Sequence, residues 1–223
     1  MKRFFLLTIS LISMAMFSGF KQQQKKKVIF LGDSITQAGV SPTGYITLLQ
    51  KSVASAGKSD SYELIGAGIG GNKVYDLYLR LDDDVLSKKP DLVFIYIGIN
   101  DVWHKRTYGT GTDPDKFEKF YYKIIDKIQA TGAKVVICTP TVIGEKTDYT
   151  NELDGDLNKY AEIIRSIAKN KNVELIDLHK NIHDYISTHN PDNKSQGILT
   201  ADGVHMNEAG NQFLASQFEK YFK

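Results

Sequence analysis

Short apolar runs and amphipathic stretches alternate along the whole chain. Lys27–Leu31, Tyr62–Ile65, Leu92–Ile97, Lys134–Cys138 and Val173–Ile176 are compact apolar runs bounded by Gly, Pro or Asp, and they predict five strands. Leu92-Val93-Phe94-Ile95-Tyr96-Ile97 is apolar at every position. That pattern fits a strand covered on both faces, as in a parallel sheet, rather than one with a wet side.

Helical periodicity fills the intervals. Ser41-Pro42 predicts a helix start, with Tyr45, Leu48, Leu49 and Val53 on one face and Gly57 as the stop. Asp113-Pro114 predicts another, with Phe117, Phe120, Tyr121, Ile124, Ile125 and Ile128 in one stripe and Gly132 at its end. Leu153, Leu157, Tyr160, Ala161, Ile164, Ile167 and Ala168 mark a third. A last helix runs from about Glu208 to Phe222, burying Phe213, Leu214, Phe218 and Tyr221. Strands interleaved with helices predict an α/β fold, a three-layer α/β/α sandwich on a five-stranded parallel sheet. Trp103–Thr112 reads as a short polar loop.

The 223 residues suffice for one domain with a sizeable core. The net charge of +2 is uneven: residues 1–27 hold six basic and no acidic side chains, and the remaining 22 basic against 26 acidic leave −4. A mildly acidic domain lacks the basic footprint of a nucleic-acid binder. Lys2-Arg3, the apolar stretch Phe4 to Phe17 and the small pair Ser18-Gly19 have the layout of a secretion signal. Residues 1–26 are therefore expected to be a leader and 27–223 the domain, with export to the periplasm, cell surface or medium and membrane contact only through the leader. An uncleaved anchor is the competing reading of the same stretch. The single cysteine, Cys138, sits inside an apolar strand and reads as a core thiol.

Gly32-Asp33-Ser34 breaks the first apolar run and puts a hydroxyl at the carboxyl end of a predicted strand, the edge where open α/β sheets bind ligands. The tripeptide also makes ordinary turns. His205 stands three residues after Asp202 in a glycine-containing segment. Such a carboxylate can hold imidazole Nδ1–H and leave Nε2 free to take a serine proton, although Asp-x-x-His also occurs on plain surfaces. Gly71, without a Cβ, and Asn100, after a buried strand, can donate hydrogen bonds to an oxyanion. The Gly66–Gly71 cluster could instead cradle a phosphate, but no Lys-Ser/Thr pair follows it. His179 and His183 have metal-ligand spacing on a predicted helix. No third ligand stands at matching spacing, so they read as solvated helix residues.

Gly-Asp-Ser-Ile-Thr at 32–36, Gly-Ile-Gly-Gly-Asn at 68–72, Gly-Ile-Asn-Asp at 98–101 and Asp-Gly-Val-His at 202–205 resemble, in order and spacing, the blocks of the SGNH (GDSL-type) hydrolase superfamily. The resemblance runs from about Lys27 to the C-terminus. It implies a flavodoxin-like fold, Ser34 as nucleophile, His205 as base and Asp202 as its partner. It also implies an oxyanion hole from the Ser34 and Gly71 N–H groups and the Asn100 side chain. The superfamily's glycine block often continues Gly-Asp-x-Thr, whereas this chain has Gly71-Asn72-Lys73-Val74.

The function expected is an exported serine esterase, without metal or organic cofactor, that hydrolyses short-chain and above all acetyl esters of small molecules or carbohydrates. Asp33, Trp103 and His104 are expected to line the substrate, with Arg106 and Tyr108 nearby. The alternatives are a lipid-directed acyl hydrolase of lysophospholipase or thioesterase type and a non-catalytic glycan-binding module.

Overall fold

The computed structural model describes residues 24–223; the predicted leader lies mostly outside them. Five parallel strands, β1 (Lys26–Gly32), β2 (Tyr62–Gly68), β3 (Leu92–Tyr96), β4 (Lys134–Cys138) and β5 (Glu174–Ile176), form one sheet in the order β2-β1-β3-β4-β5. The expected three-layer α/β sandwich is borne out.

Strand alternation assigns side chains to two cores. Ile29 and Leu31 of β1, Val93 and Ile95 of β3, and Val135 and Ile137 of β4 face one side. There they meet Leu77 and Leu81 of α3 (Val74–Asp84), Phe117, Tyr121 and Ile124 of α5 (Pro114–Gln129), and Leu157 and Ile164 of α6 (Asp154–Lys171). Val28, Phe30, Phe94, Tyr96, Val136 and Cys138 face the other side, against α2 (Tyr45–Ser55) and α8 (Glu208–Phe218). Phe30 stacks on Phe94 at 4.9 Å, and Phe218 meets both edge-on. Burial on both faces is why the inner residues of these strands are apolar without alternation. It also pushes the Cys138 thiol pKa far above its ordinary value.

The remaining helices begin just past the carboxyl ends of β1, β3 and β5. These are α1 (Ser34–Ala38), α4 (Ile99–Tyr108) and α7 (Leu178–His189). Three expectations need correction. Helix α2 starts at Tyr45, not Ser41-Pro42; the Tyr45 N–H donates to Asn211 Oδ1 of α8 at 3.0 Å, a cap that the local sequence cannot supply. Trp103–Tyr108 continues α4 instead of forming a loop, because Val102 and Trp103 pack on the core beneath. The terminal helix ends at Phe218 and finishes as a 3₁₀ turn over Glu219–Phe222.

Candidate active site

Strand β1 ends at Gly32, and Ser34 opens the short helix α1 directly above it. In the order 2-1-3-4-5, the strands β1 and β3 flank the point where chain connections diverge to opposite faces, the usual ligand crevice of open sheets. Half-buried Ser34 therefore lies where the topology leaves room for a ligand. A close backbone approach brings β2 to it: a Cβ on Gly68 would fall 2.1 Å from the Gln37 nitrogen and 2.7 Å from the Asp33 carbonyl, so only glycine fits.

Ser34 Oγ lies 2.9 Å from His205 Nε2, and His205 Nδ1 lies 2.7 Å from Asp202 Oδ2. The other Asp202 oxygen accepts the backbone N–H of Val204 at 3.0 Å and of His205 at 2.7 Å. One carboxylate thus shapes the loop and orients the ring. Desolvation raises the Asp202 pKa, but these hydrogen bonds outweigh it and hold the carboxyl below its usual range. A carboxylate acceptor places the ring proton on Nδ1. Nε2 is then free to accept from the serine hydroxyl, the relation that activates a serine nucleophile.

The donors stand alongside. Gly71 has φ +76°, which favours glycine. Neighbouring Gly70 comes within 4.0 Å of Ser34 Cβ at its would-be Cβ position. Asn100, 2% exposed at the start of α4, gives one side-chain N–H to the Asn72 carbonyl at 3.1 Å, leaving a second N–H on the same amide. The arrangement can activate a hydroxyl and receive negative charge beside it.

The lining expected from sequence is partly corrected. The Trp103 ring sits 6.2 Å from that of His205, and His104 Cε1 would lie 3.6 Å from a Cβ on Gly71; both border the site. Burial, then the nearby Lys73 charge, lowers the His104 pKa and favours neutral imidazole. Asp33 does not line anything: it is 1% exposed and caps α1 through the Ile35 N–H at 3.0 Å. Desolvation raises its pKa to about 6. His179 is buried, not solvated, with Nδ1 2.7 Å from the Thr141 carbonyl. A groove of about 860 Å³ opens at the opposite, amino-terminal edge of the sheet, away from Ser34.

Two residues without an assigned role support the site. Asp101, fully buried, accepts the Val74 N–H with both oxygens, at 3.2 and 3.3 Å, and so starts α3; desolvation raises its pKa to about 7. Glu145, also fully buried, accepts the N–H groups of Ile198, Leu199 and Thr200, each at 2.7 Å. The next turn carries Asp202 and His205. No local pattern marks Glu145, since its three partners lie 53 to 55 residues away. Glu145→Ala strands two buried donors and one partly buried donor and should cost at least about 2 kcal/mol in urea unfolding. It should also speed amide exchange at residues 198–200. A loss below about 0.5 kcal/mol, the usual limit for an uninvolved surface position, would show that the carboxylate does not hold this loop.

The sequence profile of the GDSL-like lipase/acylhydrolase family matches residues 30–213. An acetylxylan esterase of Geobacillus stearothermophilus is 30% identical, the match covering 86% of this chain and 92% of that protein. The crystal structure of the acetyl xylan esterase AlAXEase superposes with a TM-score of 0.87 at 58% identity, covering 87% of this chain and 98% of that one. An uncharacterized lipoprotein of Bacillus subtilis, YqeF, is 24% identical over 96% of this chain and 95% of its own. The chain belongs to the GDSL-like lipase/acylhydrolase family and is a carboxylic ester hydrolase.

Proposed function

We propose that this family member is an exported esterase that removes acetyl groups from carbohydrate through an acyl-enzyme on Ser34. The observation that carries the reading is the unbroken relay from Asp202 through His205 to Ser34, at 2.7 and 2.9 Å, beside the Gly71 and Asn100 donors. Ser34 Oγ attacks the ester carbonyl while His205 Nε2 takes its proton. The tetrahedral oxyanion is held by the Ser34 and Gly71 N–H groups and the free N–H of Asn100. His205 returns the proton to the leaving sugar hydroxyl, which departs and leaves acetyl on Ser34. Water, deprotonated by the same nitrogen, then releases acetate and restores the serine.

The substrate class is supported by two lines. The relatives named acetylxylan esterases match over most of both chains. The wall beside the relay is polar and aromatic: Trp103, His104 and Tyr108 run in file, with ring separations of 5.7 and 4.9 Å and Tyr108 71% exposed. An exposed aromatic suits a sugar ring, whereas a long acyl chain needs an apolar channel to gain about 0.8 kcal/mol per methylene. Export is supported by the leader's charge and apolar pattern and by the lipoprotein description of one relative. N-terminal sequencing of protein recovered outside the cytoplasm tests it, and an uncut leader retained inside the cell would refute it.

A p-nitrophenyl ester series run beside acetylated xylan tests the substrate. The rate should fall steeply from acetyl and butyryl toward dodecanoyl, and acetylated xylan should release acetate. A rate that climbs through the dodecanoyl ester, or jumps at a lipid–water interface, would transfer the assignment to lipid-directed hydrolysis.

A further inference from the structure

We propose that Arg80, on α3 and outside every motif that marks the site, is the positioning residue that holds the nucleophile segment and the Gly71 donor loop at one fixed spacing. The inference rests on the proposed roles of Ser34 and Gly71. The Arg80 side chain is only 14% exposed and uses its planar fork in four directions. One terminal nitrogen donates to the Gly32 carbonyl at 2.8 Å and to the Ala67 carbonyl at 2.9 Å. Nε donates to Asn72 Oδ1 at 2.7 Å, and the other terminal nitrogen donates to Asp84 Oδ2 at 2.7 Å.

Gly32 is the last residue of β1, two before Ser34; Asn72 directly follows Gly71. A single rigid group therefore ties the strand that presents the hydroxyl to the loop that presents the donor. That loop needs outside support, because Gly70-Gly71 has more backbone freedom than any other dipeptide. Lys73 Nζ holds the Gly71 carbonyl at 2.9 Å, and Asn100 holds the Asn72 carbonyl at 3.1 Å. Among the described residues, neither side chain hydrogen-bonds to the β1 segment, which Arg80 does. Asn72 stands where the superfamily's glycine block often has Asp, and a neutral amide oxygen serves the guanidinium here. A displacement of about 1 Å at a reacting centre can cost on the order of 100-fold in rate, so fixing this distance has a kinetic consequence.

Arg80→Gln, Arg80→Lys, Asn72→Ala and the Arg80→Gln/Asn72→Ala pair separate positioning from mere stability, with p-nitrophenyl acetate as substrate. Each single variant should lower kcat by about 10- to 100-fold with KM within about threefold, since the donors act on the tetrahedral species and not on the bound ester. The acid limb of the pH–rate profile should stay in place, because the Asp202–His205 pair is untouched. The double variant should lose less than the product of the single losses, because both changes break the same link. Losses that multiply, fall mainly on KM or only track the folded fraction in urea would overturn the proposal. If the Arg80 variants do not fold, Asn72→Ala decides alone, and unchanged kcat there refutes the inference. Fluorophosphonate labelling of Ser34 in the native enzyme keeps the two levels apart. Labelling with unaffected Asn72→Ala kinetics refutes only the Arg80 role, whereas no labelling refutes the catalytic reading itself.

Discussion

Ser34→Ala should leave the protein folded and reduce ester turnover by at least about 1,000-fold, the scale seen when a serine–histidine unit loses its nucleophile. The hydroxyl is half-buried, and its side-chain partner is His205 Nε2 at 2.9 Å, so little packing is lost with it. The helix start is kept as well, because the cap of α1 is the Asp33 carboxylate on the Ile35 N–H. Turnover of p-nitrophenyl acetate, fluorophosphonate labelling and a urea midpoint measured on one preparation check the three parts together. Labelling should vanish while the unfolding free energy from the urea curve stays within about 0.5 kcal/mol of native, as for substitutions that disturb no core contact. His205→Ala should cost about as much, and the double variant little more than either, because the pair acts as one unit. Activity above about 1% in the alanine variant would exclude Ser34 as nucleophile.

Asp202→Asn should lower kcat by roughly 1,000- to 10,000-fold with the loop still in place. Asp202 Oδ1 accepts the Val204 and His205 backbone N–H groups, and an asparagine oxygen can keep both. The amide nitrogen must then face His205 Nδ1, where a donor forces the ring proton onto Nε2. That proton would point at Ser34 Oγ and remove the base. A loss smaller than about tenfold would mean that the carboxylate does not select the tautomer.

The depressed Asp202 pKa sets the pH dependence. A carboxyl whose folded pKa lies below its unfolded value of 3.8 contributes stability above that value and loses it as pH falls through the folded pKa. Asp202 is partly exposed, so this contribution is small. Its practical meaning is that Asp202 stays charged across the neutral and mildly acidic range. A loss of rate in that range is then not caused by protonation of Asp202.

Local pattern made the five strands legible, because short, nearly unbroken apolar runs bounded by Gly, Pro or Asp fit strands covered on both faces. The structure brings the candidates Ser34, Asp202 and His205 together, and Gly71 and Asn100 were marked by equally short segments. Short segments at strand ends must carry their chemistry within a few residues, and Asp202 reaches His205 inside one turn. The same kind of local reasoning misplaced Asp33. It was expected to line the substrate, yet it is 1% exposed and one of its carboxylate oxygens accepts the Ile35 N–H of α1.

What escaped local reading depends on partners distant in the chain. Helix α3 has no capping residue of the usual kind before Val74; its first N–H is satisfied by Asp101, 27 residues on. Helix α2 is capped by Asn211, 166 residues on. Arg80 and Glu145 look like ordinary charged residues in sequence, and their roles come from carbonyl and N–H groups left over at the edges of other elements. Hydrophobic periodicity and strand-end motifs determined the sheet, its two covered faces and the residue types assembled at its carboxyl edge. The tertiary structure decided which helices begin where and what fixes the distances between those residues. The physical reason is that a hydrophobic pattern records only which side of a segment is buried. An unsatisfied N–H or C=O group takes whichever partner folding brings within 3 Å, and no local rule names that partner.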